Sequence, residues 1–388
     1  MPSIKVDLNP EILQWMRETI GDKRESVAIR LKIDPDIVKV WEENGREIPL
    51  SKLEQLASIY KRPLAAFFLS SKPEDAYQPK NFRTLPENQD LRLLSRETRL
   101  VLRKAQRLQS LAIELATQLG ENAQGRIPRR KSQNPEALAE ALRNYLEITI
   151  EQQVAWKEDR EALSDWIRIM EKRNILVFQL SMPIKEIRGL SLRSERYPVI
   201  VLNVRDSSRG RIFTLFHEYA HLLLNEVGIC DLGDEGYARG RVKVIEKYCN
   251  HFAGAFLVPE KPLLQHPLVK ELPIHKSEFN KIIRILSNNF RVSREVVLRR
   301  LLILGKIPED LYEEKAEEFR KEFKEIKPRG KGRWLVPYRK SLQERGNPFI
   351  GMAFEAKRTG KITTRDLADY LGIRKKHFKK LEKVVTKI

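Results

Sequence analysis

Cysteine is almost absent from this sequence. The 388 residues include only Cys230 and Cys249, too few for a disulfide framework or for a zinc site built from thiolates. A reducing compartment would keep both as thiols. Histidine is scarce as well, with six residues in the chain. Any close grouping of histidines is therefore informative about function.

Long apolar runs are also missing. No run approaches the length needed to span a bilayer, and the first residues carry Asp7 and Glu11 without the apolar core of a secretion signal. We therefore expect a cytoplasmic protein that does not associate with membranes. Hydrophobic residues make up 41% and charged residues 32% of the chain, which is typical of a folded, helix-rich protein. The length allows two or three domains.

Positive charge dominates overall but is unevenly distributed. The formal net charge is +20, which suggests an acidic partner. Residues 1–70 contain 11 Lys and Arg against 11 Asp and Glu, whereas residues 321–388 contain 20 against 7. The surplus is therefore C-terminal, and that end is the better candidate for contact with DNA.

Residues 8–70 have the pattern of a small helical domain. Their apolar spacing predicts helices over 11–20, 24–31, 35–43 and 51–60 and a final turn over 63–69. The stretch VAIRLKIDPDIVKVWEENGREIPLSKLEQLA, with Trp41-Glu42 and Gly45 to Pro49, resembles the phage-repressor-like (XRE) helix-turn-helix family. That resemblance implies DNA binding. Asp34 and Asp36 at the start of the second helix of the motif favour instead a dimerisation or substrate-docking module, since phosphates repel carboxylates. Both interpretations stay open.

The next 230 or so residues divide, by pattern, into a linker and a mixed domain. Residues 71–134 are predicted to be an extended linker, a long helix over 90–119 and a basic linker. Residues 135–306 are predicted to form an α+β domain that is mostly helical, with a small sheet. Its predicted strands span 175–180, 190–192 and 199–204, and its predicted helices span 135–146, 150–172, 210–226, 246–258, 277–288 and 293–304.

The strongest chemical signal is the sequence His217-Glu218-Tyr219-Ala220-His221 within a predicted helix. The i, i+4 spacing places both imidazoles on one helix face, as two ligands of one Zn²⁺ require. Glu218 is beside the first ligand and can act on a zinc-bound water as general base. The alternative is a buried helix whose histidines pair with neighbouring strands, or a structural zinc site. A structural site needs four protein ligands, and few thiols are available.

A catalytic zinc site needs a third protein ligand. Glu246 is the favoured candidate, because it opens the next predicted helix and shares a stripe with Asn250, Ala253 and Leu257. Ala253 and Gly254 would let that helix pack closely against the metal helix. The other candidates are Glu226, Asp231, Asp234, Glu235 and His251. We expect His251 to pack or to face solvent.

Residues 165–260 resemble the ImmA/IrrE family of metallopeptidases, through the segments ILVFQL, RGLSL, YPVIVLNV, RIFTLFHEYAHLLL and IEKYCNHFAGAFLVP. The resemblance implies a zincin-like peptidase domain with His217, His221 and Glu246 as zinc ligands and Glu218 as catalytic base. It also implies cleavage of a partner regulator, often a repressor, in a stress or mobile-element response. The oxyanion stabiliser is left open among Tyr237, Arg239 and Arg241.

Residues 307–388 are predicted to form a basic, helical C-terminal region. A charged stretch over 313–331 precedes a last helical unit over 349–387, with helix-turn-helix spacing between 366–371 and the helix from Arg374 onward. Five cations lie there and are candidate DNA-contacting residues, against the alternative of a solvated basic face: Arg374, Lys375, Lys376, Lys379 and Lys380.

Two classes of function follow from these observations. The first is a zinc-dependent endopeptidase that cleaves a DNA-binding regulator. The second is an XRE-family DNA-binding regulator or antitoxin-like protein whose metal domain is sensory or structural. Substitution of Glu218 separates them, because only the first needs a catalytic base. Both leave a homodimer open, and neither identifies the substrate.

Overall fold

The fold is α+β and mostly helical, as the sequence predicts. The structure is a computed structural model, and it describes residues 4–73, 82–84, 94–121, 125, 127–128, 134–226, 238–270, 272, 276–325 and 335–385. The chain divides into two compact units. The first contains Met1–Lys80, Thr84–Arg107 and Met182–Ile187, and the second contains Asn81–Arg83, Leu108–Ser181 and Arg188–Ile388.

The first unit is built from short helices around one apolar core. Its helices are α1 (Pro10–Thr19), α2 (Arg24–Leu31), α3 (Pro35–Asn44) and α4 (Leu50–Tyr60), followed by a 3₁₀ turn over Leu64–Phe68. A two-stranded antiparallel sheet pairs β1 (Lys5–Val6) with β2 (Ile48–Pro49). The helix bounds lie within a residue or two of those predicted. The resemblance to repressor-like domains stays a prediction.

Asp34 and Asp36 of the first unit have a local structural role. The Asp34 carboxylate accepts a hydrogen bond from the Asp36 backbone N–H at 2.8 Å and caps the start of α3. Asp36 lies in the first turn, where the helix dipole favours negative charge. The acids that argue against base reading are thus the residues that begin the helix.

Arginines of α5 (Arg96–Gln118) fix its N-terminal half to the other helices of the first unit. Arg99 donates to the Glu18 carbonyl at the end of α1, and Arg103 donates to the Tyr60 and Lys61 carbonyls at the end of α4. Arg96 pairs with Asp22 at 2.9 Å. Arg99 and Arg103 thus bind carbonyls at the C-terminal ends of α1 and α4.

The second unit contains the four-stranded sheet and the remaining helices. The strand order is β3-β5-β6-β4, with β3 over Phe82–Thr84, β4 over Leu176–Leu180, β5 over Ile187–Leu192 and β6 over Val199–Asn203. β6 pairs parallel with β4 and antiparallel with β5. The helices are α6 (Pro135–Leu146), α7 (Ile150–Ala155), α8 (Asp159–Glu171), α9 (Ser208–Glu226), α10 (Ala238–Leu257), α11 (Glu260–Gln265), α12 (Pro267–Lys270), α13 (Lys276–Phe290), α14 (Arg294–Ile303), α15 (Glu309–Glu325), α16 (Pro337–Arg358), α17 (Thr364–Leu371) and α18 (Phe378–Val385).

An aromatic cluster at the centre of this unit joins α8, α9 and α10. Trp166 lies edge-on to Phe216 with ring centroids 4.8 Å apart, and Phe216 stacks on Phe256 at 4.2 Å. All three rings are buried in the large core. Such contacts fix helix positions beyond the general effect of burial. The two helices that carry the candidate metal ligands are therefore held against each other.

Several predicted elements differ from the structure. The extended linker predicted before residue 90 contains the strand β3, and the last helical unit begins at Pro337 instead of at residue 349. The helix predicted over 150–172 is two helices, because the chain is extended at Trp156. The helix predicted to open at Glu246 begins at Ala238. The charged stretch over 313–331 contains a helix through Glu325, with ion pairs such as Lys315–Glu318 and Arg320–Glu317 between neighbouring turns. Spacings i, i+3 and i, i+4 of opposite charges favour helix.

None of the helices in the described part of the chain has the length and apolar character needed to cross a membrane.

Candidate active site

The helix α9 carries His217, Glu218 and His221, and its start is fixed by polar contacts. The Ser207 hydroxyl accepts a hydrogen bond from the Gly210 N–H at 3.0 Å and so caps the helix. Arg209, in the first turn, donates to Asp159 at 2.8 Å and to Ser287 at 2.7 Å. These contacts tie α9 to α8 and α13. The position of the helix therefore does not depend on its metal-binding face alone.

The structure brings together the three predicted metal ligands. His217 and His221 are fully buried on α9, and Glu246 on α10 faces them. The two Nε2 atoms lie 3.1 Å apart. The Glu246 carboxylate lies 3.2 Å from the Nε2 atom of His217 and 3.2 Å from that of His221. Two helices separated by a long connection thus converge on one point.

This donor set fits a zinc ion. Zinc–nitrogen bonds of about 2.0–2.1 Å in a tetrahedral site place ligand atoms about 3.3 Å apart. The three separations, 3.1, 3.2 and 3.2 Å, match that spacing. Two imidazoles and one carboxylate are also the ligand set of many catalytic zinc sites, which leave a fourth position for water or substrate. The residues present therefore match a catalytic site better than a structural one.

Glu246 is negatively charged in this setting. Burial opposes ionisation of its carboxyl group, but hydrogen bonds from His217 and His221 outweigh burial and hold the pKa of Glu246 well below its usual range. A metal ligand must be deprotonated. The carboxylate is thus in the form that binds a cation.

Asn250 and Cys249 also contact the histidines, although sequence reasoning gave neither a role at the site. The Asn250 amide oxygen lies 3.1 Å from Nδ1 of His217 and can accept a hydrogen bond from it, which leaves Nε2 as the ligand atom for a metal ion. The buried Cys249 thiol lies against His221, and burial raises its pKa. Both residues follow Glu246 by one helical turn, at i+3 and i+4. That spacing is the signal in the sequence.

Gly189 allows the metal helix to approach the sheet. A methyl group at this position of β5 would lie 2.3 Å from Thr214 Cγ2 and 2.8 Å from the Val201 carbonyl oxygen. It would also lie 3.5 Å from Cγ of Glu218. Glu218 itself is fully buried. The absence of a side chain at Gly189 therefore sets the distance between β5 and the candidate catalytic residue.

His251 is not part of the ligand cluster. Its Nε2–H donates at 2.6 Å to the Glu136 carboxylate on α6, which also forms a bidentate pair with the buried Arg300 of α14. The prediction that Gly254 lets α10 approach the metal helix is wrong, because Gly254 faces Arg300, whose Cδ would lie 3.2 Å from an added methyl group. The small residue makes room for the arginine.

The other candidate residues have different positions. The loop residues Asp231, Asp234, Glu235 and Tyr237 and the Cys230 thiol lie outside the described residues, as do the side chains of Glu226, Arg239 and Arg241. The oxyanion stabiliser therefore stays a prediction. Five cations are exposed near the C-terminal end and do not belong to the metal cluster: Arg374, Lys375, Lys376, Lys379 and Lys380.

Comparison with known proteins gives one informative match. No curated protein and no solved structure matches this chain. The match, to a protein-family model, covers α9, α10 and the sheet strands β4 to β6 and supports a peptidase-type activity. It does not include the helices of residues 8–70 or the C-terminal basic region. Residues 170–302 are similar to the family Peptidase_M78, described as an IrrE N-terminal-like domain.

Proposed function

We propose that this protein is a zinc-dependent endopeptidase. The observation that carries the proposal is the convergence of His217, His221 and Glu246 within 4.8 Å of one another. The family match over residues 170–302 supports it independently of the geometry. The buried Glu218, adjacent in sequence to the first of these ligands, supplies the remaining group that peptide hydrolysis requires.

Each residue has a separate role in this reaction. His217, His221 and Glu246 hold the zinc ion, and Asn250 orients His217. Bound zinc acts as a Lewis acid and lowers the pKa of water to about neutral. Glu218 accepts a proton from the attacking water and then passes it to the amine that leaves. Its burial beside Gly189 excludes bulk water from the carboxylate.

The proposed substrate is a regulatory, repressor-like DNA-binding protein, cleaved in a stress or mobile-element response. The resemblance of residues 165–260 to the ImmA/IrrE family supports this. A peptidase that cleaves only one class of protein needs surfaces outside its active site that recognise the substrate. The matched peptidase domain occupies only part of this chain, so the rest is available for that role. Helical regions on both sides of it offer surfaces that recognise a folded partner.

The metal and catalytic roles can be tested with Glu218→Gln and Glu246→Ala. Both proteins, the unmodified chain and the exposed control Glu260→Gln are purified, and bound zinc is measured by mass spectrometry. We expect one zinc ion per chain for the unmodified protein, Glu218→Gln and Glu260→Gln, and a large loss for Glu246→Ala. Equal zinc content in all four proteins would exclude Glu246 as a ligand.

The substrate class can be tested by mapping new N-termini. Heparin-retained proteins from the source organism, a fraction rich in DNA-binding proteins, are incubated with the unmodified protein or with Glu218→Gln. New N-termini in a DNA-binding regulator with the unmodified protein alone would support the proposal. Cleavage by both proteins would remove Glu218 from the mechanism. No cleavage by either, with zinc bound, would favour the alternative of a DNA-binding regulator with a sensory or structural metal domain.

A further inference from the structure

The last three helices form a small packed unit, here called the C-terminal three-helix unit (residues 347–385). α16 packs against α17 and α18, and also against β4. The buried side chains of residues 347–385 are all apolar, and they are Phe349, Ile350, Met352, Ala353, Ala356, Ile362, Leu367, Leu371, Ile373 and Leu381. Phe354 and Phe378 add an edge-to-face contact at 6.2 Å. The relative positions of α17 and α18 are therefore fixed by a core.

Three residues, 372–374, separate α17 from a 3₁₀ turn over Lys375–His377 that leads directly into α18. A three-residue separation is the length of a helix-turn-helix turn. α17 begins at a capping box between Thr363 and Asp366 and ends at Gly372, whose φ is 61°. The last carbonyls of α17 are bound by side chains of α16: Arg345 Nε donates to Tyr370 at 2.5 Å and Ser341 Oγ donates to Leu371 at 2.7 Å. Two side chains of α16 therefore fix the C-terminal end of α17, from which the chain leads into α18.

Basic side chains cover the outer face of α18 and of the 3₁₀ turn that precedes it. Arg374 lies before the turn, Lys375 and Lys376 lie in it, Lys379, Lys380 and Lys383 lie on α18, and all six are exposed. At 100° per residue, the three lysines of α18 (Lys379, Lys380 and Lys383) fall within an arc of about 100°. Leu381, which is fully buried, lies on the opposite side. The helix therefore presents charge outward and an apolar face to its own unit.

These cations differ in their ion pairing from the cations of α15, another exposed helix. In α15, lysines and arginines pair with acids one turn away, as in Lys321–Glu317 and Arg320–Glu317. None of the six cations at 374–383 makes an ion pair with another residue in the part of the chain that the structure describes. Between positions 374 and 383 they are accompanied by one acid, Glu382. Their mutual repulsion is relieved when an anionic partner binds.

We propose that this basic face of the C-terminal three-helix unit binds double-stranded DNA. The eight residues of α18 extend about 12 Å, close to the width of a B-DNA major groove of about 12 Å. In this proposal Lys375 and Lys376, in the 3₁₀ turn before α18, reach the groove, and Lys379, Lys380 and Lys383 of α18 contact phosphates. DNA carries one charge per about 1.7 Å of its axis, which matches a dense row of lysines.

The surface favours a duplex over other anionic partners. A helix that lies on a membrane needs exposed apolar side chains beside its cations, and a single-stranded nucleic acid needs aromatic rings on which its bases stack. No large apolar side chain of the described residues 347–385 is highly exposed. Phosphate contact by lysines alone suffices for a duplex.

The test uses the full-length protein and a fluorescein-labelled mixed-sequence duplex of about two helical turns. The variant Lys375→Gln/Lys379→Gln/Lys383→Gln, called the α18 variant, removes one charge from the 3₁₀ turn and two from α18. Its control, Lys157→Gln/Lys172→Gln/Lys281→Gln, removes three exposed charges elsewhere in the second unit. Fluorescence anisotropy gives the affinity between about 50 and 200 mM salt, where phosphate contacts lose strength.

We expect the α18 variant to bind the duplex at least about tenfold more weakly than the unmodified protein at low salt. Its slope of log affinity against log salt should be smaller in magnitude by about 2–3. The control variant should bind within twofold of the unmodified protein. Equal losses in both variants, or no binding at low salt, would overturn the proposal. So would displacement of the duplex by phosphatidylserine vesicles or polyglutamate at matched charge.

Circular dichroism of each variant verifies folding. Zinc and peptidase activity are not involved, so failure of the proposed function leaves this test unaffected.

Discussion

The two ring nitrogens of His217 have different partners. Nε2 faces His221 and Glu246, whereas Nδ1 contacts the amide oxygen of Asn250 at 3.1 Å. A ligand histidine needs such a partner, because the hydrogen bond at one nitrogen fixes the tautomer and the ring orientation at the other. Asn250 and Glu246 lie on the same face of α10. One helix therefore provides both a candidate ligand and a group that contacts another candidate ligand.

Substitution of Asn250 by Ala is expected to weaken zinc binding without removing a ligand. Loss of such an outer partner typically lowers metal affinity about 10- to 100-fold. Competition with a chromophoric chelator measures the affinity, and Asn144→Ala, at an exposed position of α6, is the control. Unchanged affinity in Asn250→Ala would show that packing alone orients His217.

The approach of β5 to α9 governs the site at the level of secondary structure. Gly189 is the point of closest approach, since a methyl group there would overlap Thr214 Cγ2 at 2.3 Å. Side chains in a packed interior leave little room for added volume. The strand and the helix can therefore keep their present separation only with glycine at this position.

The variant Gly189→Ala is expected to lower the free energy of unfolding by about 1–3 kcal/mol, because β5 and α9 must separate. Chemical denaturation measures the change. Thr214→Ser in the same chain removes the overlapping methyl group and should restore part of the stability. Gly351→Ala is the matched control, since its methyl group would meet no atom within 4 Å. Equal stability of Gly189→Ala and the control would contradict the packing argument.

At the scale of the whole second unit, Glu171 links segments far apart in the sequence. Its carboxyl group accepts hydrogen bonds from the backbone N–H and the side chain of Asn347, at 3.3 and 3.4 Å. Asn347 follows Gly346, where α16 kinks with a φ of 71°. Burial raises the pKa of Glu171 to about 8, and the hydrogen bonds from Asn347, which lower the pKa, have a smaller effect. The carboxyl group is therefore protonated at neutral pH.

This protonation predicts a pH dependence of stability. The pKa of Glu171 is about 8 in the folded chain and 4.5 as the ordinary value, so the folded state keeps a proton that the unfolded state releases. Its contribution is full below pH 4.5 and decreases as the pH rises to about 8, by up to about 1.4 kcal/mol per pH unit. Urea unfolding at several pH values should show that Glu171→Gln removes this decrease, whereas the exposed control Glu260→Gln keeps it. A slope that persists in Glu171→Gln would assign it to other groups.

Local patterns explain which parts of the site were predictable. His217, Glu218 and His221 lie within five residues of one another, and helix geometry alone places the two imidazoles on one face. Glu246 could be predicted because it shares one face of α10 with Asn250, Ala253 and Leu257, although the helix begins eight residues earlier than predicted. The metal cluster is thus encoded in two short segments.

The remaining features depend on contacts between distant segments. Gly189 meets Thr214 only because β5 packs on α9, and Glu171 meets Asn347 across 176 residues. Periodicity reports which face of an element is buried but not what it is buried against. The prediction for Gly254 was wrong for the same reason, because its neighbour is Arg300 of α14 and not the metal helix. Close approach and long-range ion pairs have no local signature.

The contact of His251 with Glu136 has a consequence for protein design. Asn250, which orients a ligand, and His251, which pairs with Glu136 and through it with Arg300, are consecutive residues of α10. The orientation of α10 therefore depends on α6 and α14 as well as on α9. Grafting the two ligand-bearing helices alone onto another scaffold would transfer the ligands without the supports that fix their angles. The smallest transferable version of this centre includes four helices.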